Sequence, residues 1–334
     1  MKRRLLLYGG GATLLLFFSF TVSLSIGSSM IPLTEVWSVL LGNGDDVSNA
    51  IILNVRLPRI VLAILVGSAL AVAGAGFQGV LRNPLADPYI LGVSSGASVG
   101  AAFIILFGLQ SVIFGKYSIP VVAFITGVLT LLLVIKIAMK NGQIKKETLI
   151  LSGVIVQAFL GSFISLMVSM SNTVINEIIF WMMGSLTMRG WEYSKIMAPY
   201  VFIGIVILLS QGRALNLFTL GERQALHLGV NIERTKIIVL VTSTLLTAAA
   251  VSVSGVIGFV GLVVPHLIRL VVGPDYRLII PLSVFIGSVY VLWADTIARM
   301  ILMPKEIPLG VVTAILGAPF FAYLLKKGKR GVHL

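Results

Sequence analysis

Apolar runs of about 20 residues, the length that crosses a bilayer as a helix, recur along the whole chain. The 334-residue chain is 57% hydrophobic and only 11% charged, and its mean hydropathy is +1.05. A soluble domain carries about a quarter charged residues, so this chain has too little polar surface to be one. These features predict an all-α polytopic membrane protein that forms a single transmembrane domain over residues 1–334.

The apolar runs predict about ten transmembrane helices. We expect them near residues 5–30, 59–81, 89–109, 118–139, 148–170, 196–210, 237–253, 258–272, 278–298 and 308–325. The N-terminus resembles a signal peptide, but it lacks a small-x-small cleavage site, so a retained first span is expected. The apolar patch 178–183 is too short to cross and predicts an interfacial helix on the outer face.

Charge predicts the orientation of these spans. In a ten-span topology, most of the 25 Lys and Arg residues fall on the side that carries both termini. Lys and Arg collect on the cytoplasmic side of membrane proteins, so both termini are expected in the cytoplasm. The net charge of +13 and the pI near 10.2 therefore reflect topology, and no nucleic-acid partner is indicated.

The polar stretch 212–236 interrupts the apolar runs on the cytoplasmic side. Within it, Thr219 to Glu222 fits a capping box, and Gly229 stands where a helix end favours a left-handed residue. This pattern predicts a short helix over about 220–228, displayed at the membrane surface. Such a helix suits docking to another protein, and an ordinary loop with one helical turn is the alternative.

Small residues recur every four positions on the second and third spans. They are Gly67, Ala71, Ala75 and Gly79 on the second and Gly92, Gly96 and Gly100 on the third. Such ridges favour close packing of helices in membranes. Alternatively, the third helix lines a passage, with Ser94, Ser95 and Ser98 as its polar groups.

The sequence contains neither a motor nor an enzyme motif. It has no nucleotide-binding P-loop, no catalytic motif, no cysteine and only three scattered histidines, so no catalytic residue, cofactor or metal site is expected in this chain. Asp295 and Arg299 are expected to pair along the ninth span. Arg56, Arg59 and Arg299 lie at the outer face, where they either snorkel or form a basic ring that attracts an acidic partner.

Six segments resemble the permeases of iron–siderophore and vitamin B12 ABC importers. They are Arg56 to Arg59, Leu81 to Pro88 with Leu91 to Gly96, Phe180 to Leu186, Leu220 to Glu222 with His227 to Val230, Gly258 to His266, and Pro308 to Phe320. The resemblance covers nearly the whole chain in the same order. It implies the type II importer permease fold in a bacterial cytoplasmic membrane, surrounded by lipid. It also implies a second permease subunit, alike or related, two cytoplasmic ATPase subunits that use ATP-Mg, and an extracytoplasmic binding (lipo)protein.

The resemblance also implies roles for individual residues. Contact with the ATPase would involve Leu215, Asn216, Leu220, Gly221, Glu222, Arg223, His227 and Gly229. Docking of the binding protein would involve Arg56, Arg59 and Arg299. The translocation path and its gate would include Asn83, Leu85, Gly92, Ser94, Ser95 and Gly96, while gate residues before the fifth span stay open.

The expected function is ATP-driven import of a ferric siderophore. Vitamin B12 and haem are alternative cargoes within the same family. An ion-coupled secondary carrier is a further alternative, because residues 76–79 and 258–261 form a faint inverted echo. A membrane scaffold without transport is the third class.

Overall fold

A computed structural model describes residues 2–27, 29–110, 112, 114–171 and 173–328. The first half contains α1 (Lys2–Ser25), α2 (Leu33–Leu40), α3 (Asp46–Ile51), a π-helical turn (Ile52–Arg56), α4 (Leu57–Leu81), a 3₁₀ turn (Pro88–Leu91), α5 (Val93–Leu106), a 3₁₀ turn (Gly115–Tyr117) and α6 (Ser118–Ala138). The second half contains β1 (Met139–Lys140), β2 (Gln143–Ile144), α7 (Lys146–Met170), α8 (Ile175–Met182), α9 (Trp191–Phe218), α10 (Glu222–His227), α11 (Ile232–Ser254), α12 (Val260–Val272), α13 (Tyr276–Met300) and α14 (Leu309–Gly328). The C-terminal tail from residue 329 lies outside the described residues.

Among the described residues, 7 helices are long and apolar enough to cross a membrane, and α5, α12 and α14 are shorter apolar helices. Together they account for the ten predicted spans and confirm the all-α polytopic fold. The predicted patch near 178–183 falls in α8, where Ile178 is buried and Phe180 is exposed.

Several predicted boundaries differ from the structure, among them those of the third, eighth and sixth spans. The third span starts at Val93 instead of 89, because residues 88–91 form a 3₁₀ turn and Gly92 takes a left-handed φ of +75°. The eighth starts at Val260 after Phe259, whose φ is +67°. The sixth, α9, runs for 28 residues from Trp191 to Phe218 and includes residues that were predicted to be loop.

Helix α4 lies at the centre of the bundle, where every residue from Val66 to Leu81 is buried. It packs against α9, α11, α12 and α13. A methyl group on Gly67 would lie 2.3 Å from the Gly287 carbonyl oxygen, and one on Gly74 would lie 2.0 Å from that of Gly261. Backbones therefore touch directly at these crossings, which confirms the close-packing interpretation of the second span.

An antiparallel hairpin of two short strands, β1 and β2, with two residues each, joins α6 to α7. It lies at the same end of the bundle as α10, since Ile144 bonds to residues at the start of α11. This end of the bundle therefore combines the hairpin, α10 and the turn after α4.

Candidate functional site

The short helix α10 connects α9 to α11, as the polar stretch predicts, but its start differs from the prediction. The capping box is not formed: Gly221, with a φ of +112°, precedes the helix and provides no side-chain cap. Thr219 stays in helical conformation after α9, and its hydroxyl donates to the Asn216 carbonyl oxygen at 2.7 Å. Glu222 instead faces Lys236, an ion pair that a local sequence motif does not reveal.

The end of α10 agrees with the prediction. Gly229 has a φ of +84°. The Val230 amide donates to the Ala225 carbonyl and the Gly229 amide donates to the Leu226 carbonyl, both at 3.0 Å. This pair of bonds is a Schellman motif, which fixes the direction of the chain into α11.

Lys236 ties α10 to its surroundings, and sequence reasoning missed it. Its side chain is 7% exposed, and its Nζ donates to Glu222 Oε2 at 3.1 Å, Glu233 Oε1 at 3.2 Å and the Ile144 carbonyl oxygen at 3.1 Å. Glu233 also accepts from the Ile144 amide at 3.1 Å, and Arg82 lies 3.5 Å from Glu222. One buried ammonium group therefore joins α10, α11 and the hairpin. The only sequence signal was the i,i+3 spacing of Glu233 and Lys236.

The outward side of α10 is apolar and open. Leu220, Leu226 and Leu228 are 58%, 60% and 59% exposed, and Arg223 and His227 are exposed beside them. Leucines exposed to this degree on a short, capped helix are typical of a surface that a protein partner covers.

A groove of about 950 Å³ separates α10 from the hairpin and the start of α7. Charged side chains dominate its lining, with Lys145, Lys146 and Glu147 on one wall and Glu222 and Arg223 on the other. The groove leaves α10 accessible from two sides, so a partner can reach both its apolar and its charged faces.

Leu215 and Asn216 do not belong to this surface, because the predicted loop from 212 begins only after α9 ends at Phe218. Leu215 is fully buried. Asn216 Nδ2 donates to Asp275 Oδ1 at 2.6 Å, and its Oδ1 accepts from the Tyr276 amide at 2.7 Å. A hydrogen bond from Arg277, opposed by desolvation and supported by Asn216, lowers the pKa of Asp275 to about 2. Asn216 therefore holds α9 to the start of α13, and the coupling role of Leu215 and Asn216 stays a prediction.

At the other end of the bundle, Arg56 caps α1 and does not project outward. It is 4% exposed. Its Nη1 donates to the carbonyl oxygens of Leu24 at 2.6 Å and Ser25 at 3.0 Å, and its Nη2 donates to Ser29. Arg56 therefore satisfies carbonyl groups that the end of a helix leaves without partners.

Arg59 and Arg299 share one buried carboxylate. Asp295 is 0% exposed; its Oδ1 lies 2.9 Å from Arg59 Nη2, and its Oδ2 lies 3.2 Å from Arg299 Nε. Glu306 holds the other side of Arg59, with 2.9 Å between Oε1 and Nη1. The predicted pairing of Asp295 with Arg299 is confirmed, and the three arginines that were expected to snorkel or to form a basic ring are largely buried. Their docking role stays a prediction, and it requires Arg59 to change partners.

The predicted gate and path residues separate into two groups. Asn83 and Leu85 form an exposed turn in which Asn83 Oδ1 accepts from the Leu85 amide at 2.9 Å. Ser94 and Gly92 are buried, and a methyl group on Gly96 would lie 2.0 Å from Thr130 Oγ1. Ser95, the remaining predicted path residue, is half-buried on α5. This face of α5 therefore packs against α6, and a path role for its residues stays a prediction.

Comparison with known proteins places this architecture. The model of the FecCD transport family matches residues 15–327. The ABC transporter permease protein YvrB of Bacillus subtilis is 43% identical over 322 residues, which cover 94% of this chain and 91% of that protein. The cobalamin import permease BtuC of Halobacterium salinarum is 44% identical over 281 residues, 84% of this chain and 74% of that protein.

A solved structure of a metal-chelate type ABC transporter, in an inward-facing conformation, superimposes with a TM-score of 0.86. It is 34% identical and covers 98% of this chain and 100% of that chain. Further relatives between 36% and 39% identical are named for import of haemin, molybdate, ferric citrate and ferric hydroxamate.

Proposed function

The chain belongs to the FecCD transport family, and we propose that within it the protein carries a ferric siderophore across the bacterial cytoplasmic membrane. At the level of class, it is the permease of a type II ABC importer for metal chelates, and hydrolysis of ATP takes place in partner subunits. Within this class, the identity of the transported molecule is our proposal.

Relatives named for iron complexes carry the cargo proposal. The ferric citrate permeases YfmE and YfmD and the ferric hydroxamate permease FhuG, all of Bacillus subtilis, each match more than 90% of this chain. Each match also covers at least 90% of the relative, so the likeness extends over the entire permease. A bulky iron chelate is also compatible with a bundle whose described spans bury few charges apart from the Asp295 cluster.

We propose that the ATPase subunits contact α10 and transmit their conformational change to the permease through this helix. Its exposed leucines supply an apolar contact, and Lys236 connects it to α11 and to the hairpin before α7. When two ATPase subunits close on ATP-Mg, they would displace α10, and Lys236 would pass the displacement to both connected helices. The chain itself needs no cofactor in this scheme.

A second permease subunit is proposed to cover α7. The exposed face of α7 carries Gln157, Ser162 and Ser165 among its apolar residues. Polar and small residues favour contacts between helices in membranes and also suit a path that a polar chelate crosses. An extracytoplasmic binding protein would dock at the opposite end to α10, near Arg59 and Glu306.

Reconstitution tests the cargo directly. The full chain, its ATPase and its binding protein are placed in liposomes, and ATP-dependent uptake of ferric siderophores, ferric citrate, haemin and cobalamin is compared. We expect uptake of a ferric siderophore to exceed that of cobalamin. Glu222→Arg should abolish uptake because it places a like charge beside Lys236, whereas the exposed Glu147→Arg should retain it.

Cobalamin is the second candidate, since one relative at 44% identity is named as a cobalamin import permease. Preferential uptake of cobalamin would overturn the siderophore proposal and leave the importer class intact. Uptake driven by an ion gradient without the ATPase would contradict both.

A further inference from the structure

A crevice of about 430 Å³ opens between α6 and α9, with the last turns of α11 as its floor. Its lining comes from the first turns of α6 and α9, so it lies in the outer half of the bundle. The lining is mostly apolar and includes five aromatic rings, from Phe114, Tyr117, Phe124, Tyr193 and Tyr200. The rings of Phe124 and Tyr200 are 5.5 Å apart, and those of Tyr117 and Tyr193 are 6.1 Å apart. None of these residues belongs to the coupling surface or to the arginine cluster.

The surface around the crevice has the composition of a face that meets lipid. Below it, the exposed side chains of α6 and α9 are large and apolar: Leu129, Leu132, Leu133 and Ile137, and Phe202, Ile203, Val206 and Leu209. Interfaces between membrane helices are instead enriched in small and polar residues. The exposed face of α7 has such residues and the face of α6 and α9 does not, so lipid is the expected neighbour of the crevice.

Positive charge collects at the outer rim of the crevice. Lys116 and Arg189 lie there with one acid, Glu192, which pairs with Lys116. The Arg189 guanidinium carbon is 4.8 Å from the ring centre of Tyr193, and its buried Nε has no hydrogen-bond partner among the described residues. The Tyr193 hydroxyl donates to the Lys116 carbonyl at 3.3 Å, which joins the rim to the lining.

We propose that this crevice binds a phospholipid with an anionic headgroup from the outer leaflet. Its acyl chain would lie among the aromatic rings, and its phosphate would face Arg189. Along α9, Tyr193 and Tyr200 are separated by about 10 Å, which fits within the roughly 15 Å of one hydrocarbon leaflet. An acyl chain gains little by moving from bilayer to crevice, so the rim charge sets the preference between lipids.

The test uses the full chain in nanodiscs with spin-labelled phosphatidylglycerol or phosphatidylcholine as probes. We expect the protein to immobilise phosphatidylglycerol about fivefold more strongly, the effect of one basic side chain near a membrane surface. Arg189→Gln should remove this preference. Lys305→Gln, which neutralises an exposed outer lysine elsewhere, should keep it.

A second variant tests the crevice itself. Val121→Trp, at a half-buried lining position, should fill the space and reduce immobilisation of phosphatidylglycerol, whereas Leu129→Trp on the exposed face below should not. Equal immobilisation of the two lipids by the unmodified protein would overturn the proposal, as would an unchanged preference in Val121→Trp.

A cross-linking experiment tests whether a second copy of the chain, instead of lipid, covers the crevice. The chain has no native cysteine, so a disulfide between two copies can form only at an introduced residue such as Ile125→Cys. Efficient cross-linking there would assign the face to another copy and reject lipid.

Discussion

The two ends of this bundle are both held together by charges, but in different ways. At the outer end, Asp295 is fully buried between Arg59 and Arg299. At the cytoplasmic end, Lys236 is 7% exposed, but its partners Glu222 and Glu233 are 37% and 31% exposed. Removing one charged group from the outer cluster leaves its partner unpaired in a buried site, whereas water can hydrate the carboxylates of the inner cluster. The outer cluster is therefore a fixed part of the core, and the inner cluster can open and close.

The largest expected effect is at Asp295. Asp295→Ala would leave two guanidinium groups without their shared counter-charge and should lower the free energy of unfolding by about 3–5 kcal/mol. Thermal unfolding of the purified chain, followed by size-exclusion fluorescence, measures this loss. The matched control is Asp46→Asn, an exposed outer carboxylate that should change little. Equal stability of both variants would show that the outer cluster is hydrated and would remove the contrast between the ends.

The second effect concerns Lys236. Lys236→Met removes three hydrogen bonds from a charged donor, but the carboxylates can turn to water, so we expect a loss of about 1.5–3 kcal/mol confined to this end. Hydrogen exchange should rise in residues 222–228 and stay unchanged in α4. Arg234→Met, one half-turn away and exposed, is the control. Global unfolding in Lys236→Met would place the inner cluster in the same class as the outer one.

The third effect is on association alone. Leu226→Asp puts a charge on the exposed apolar side of α10, so the chain should fold normally and bind its ATPase at least about tenfold more weakly, a loss of about 1.4 kcal/mol. Co-purification at graded ATPase concentrations measures the affinity. Val47→Asp, at a similarly exposed apolar residue of the outer end, should bind normally. Unchanged binding in Leu226→Asp would contradict the coupling role of α10.

The smallest effect is at Glu306. Glu306→Gln releases one side of Arg59, which should raise the rate of binding-protein docking several-fold at low salt, an effect of at most about 1 kcal/mol. Stopped-flow association at two salt concentrations measures it. A slower rate in this variant would show that Glu306 assists docking instead of competing with the partner.

The same residue gives a pH expectation. Desolvation alone would raise the pKa of Glu306, but hydrogen bonds from Arg59 and Thr187 outweigh it and lower the pKa below its ordinary 4.5. The carboxylate is therefore ionised above that pH, and its contribution to stability is lost only as the pH falls through the lowered value. Docking rates of the unmodified chain should be flat from about pH 5 to 8. A rise in rate on acidification within that range would contradict the assignment.

The ten spans could be predicted from the sequence because lipid demands long apolar helices, and that demand leaves a strong local signal. The breaks before α5 and α12 could not. They depend on left-handed backbone at Gly92 and Phe259, and Phe is an unusual residue for that conformation. The length of α9 was also missed, since Asn216 continues the helix by bonding to residues about 60 positions later.

The candidate sites were predicted in place but not in detail. The coupling stretch and the Gly229 cap could be recognised because a helix end has a local pattern. The burial of Arg56 and Arg59 could not, because their partners, the end of α1 and Asp295, are remote in sequence. For the same reason the sequence places Lys236 only at the end of the polar stretch 212–236, although it bonds to the hairpin.

Helix α9 runs continuously from one side of the membrane to the other. Its 28 residues measure about 42 Å, and Pro199 interrupts the hydrogen bonding only near the outer end. The helix ends four residues before α10 begins, while at its outer start the Trp191 indole donates to the Leu53 carbonyl beside α4 at 3.0 Å. Because so few residues separate the two helices, we expect a displacement of α10 at the cytoplasmic side to tilt α9 as a rigid unit. We therefore expect the two faces of the membrane to be coupled mechanically through this one helix.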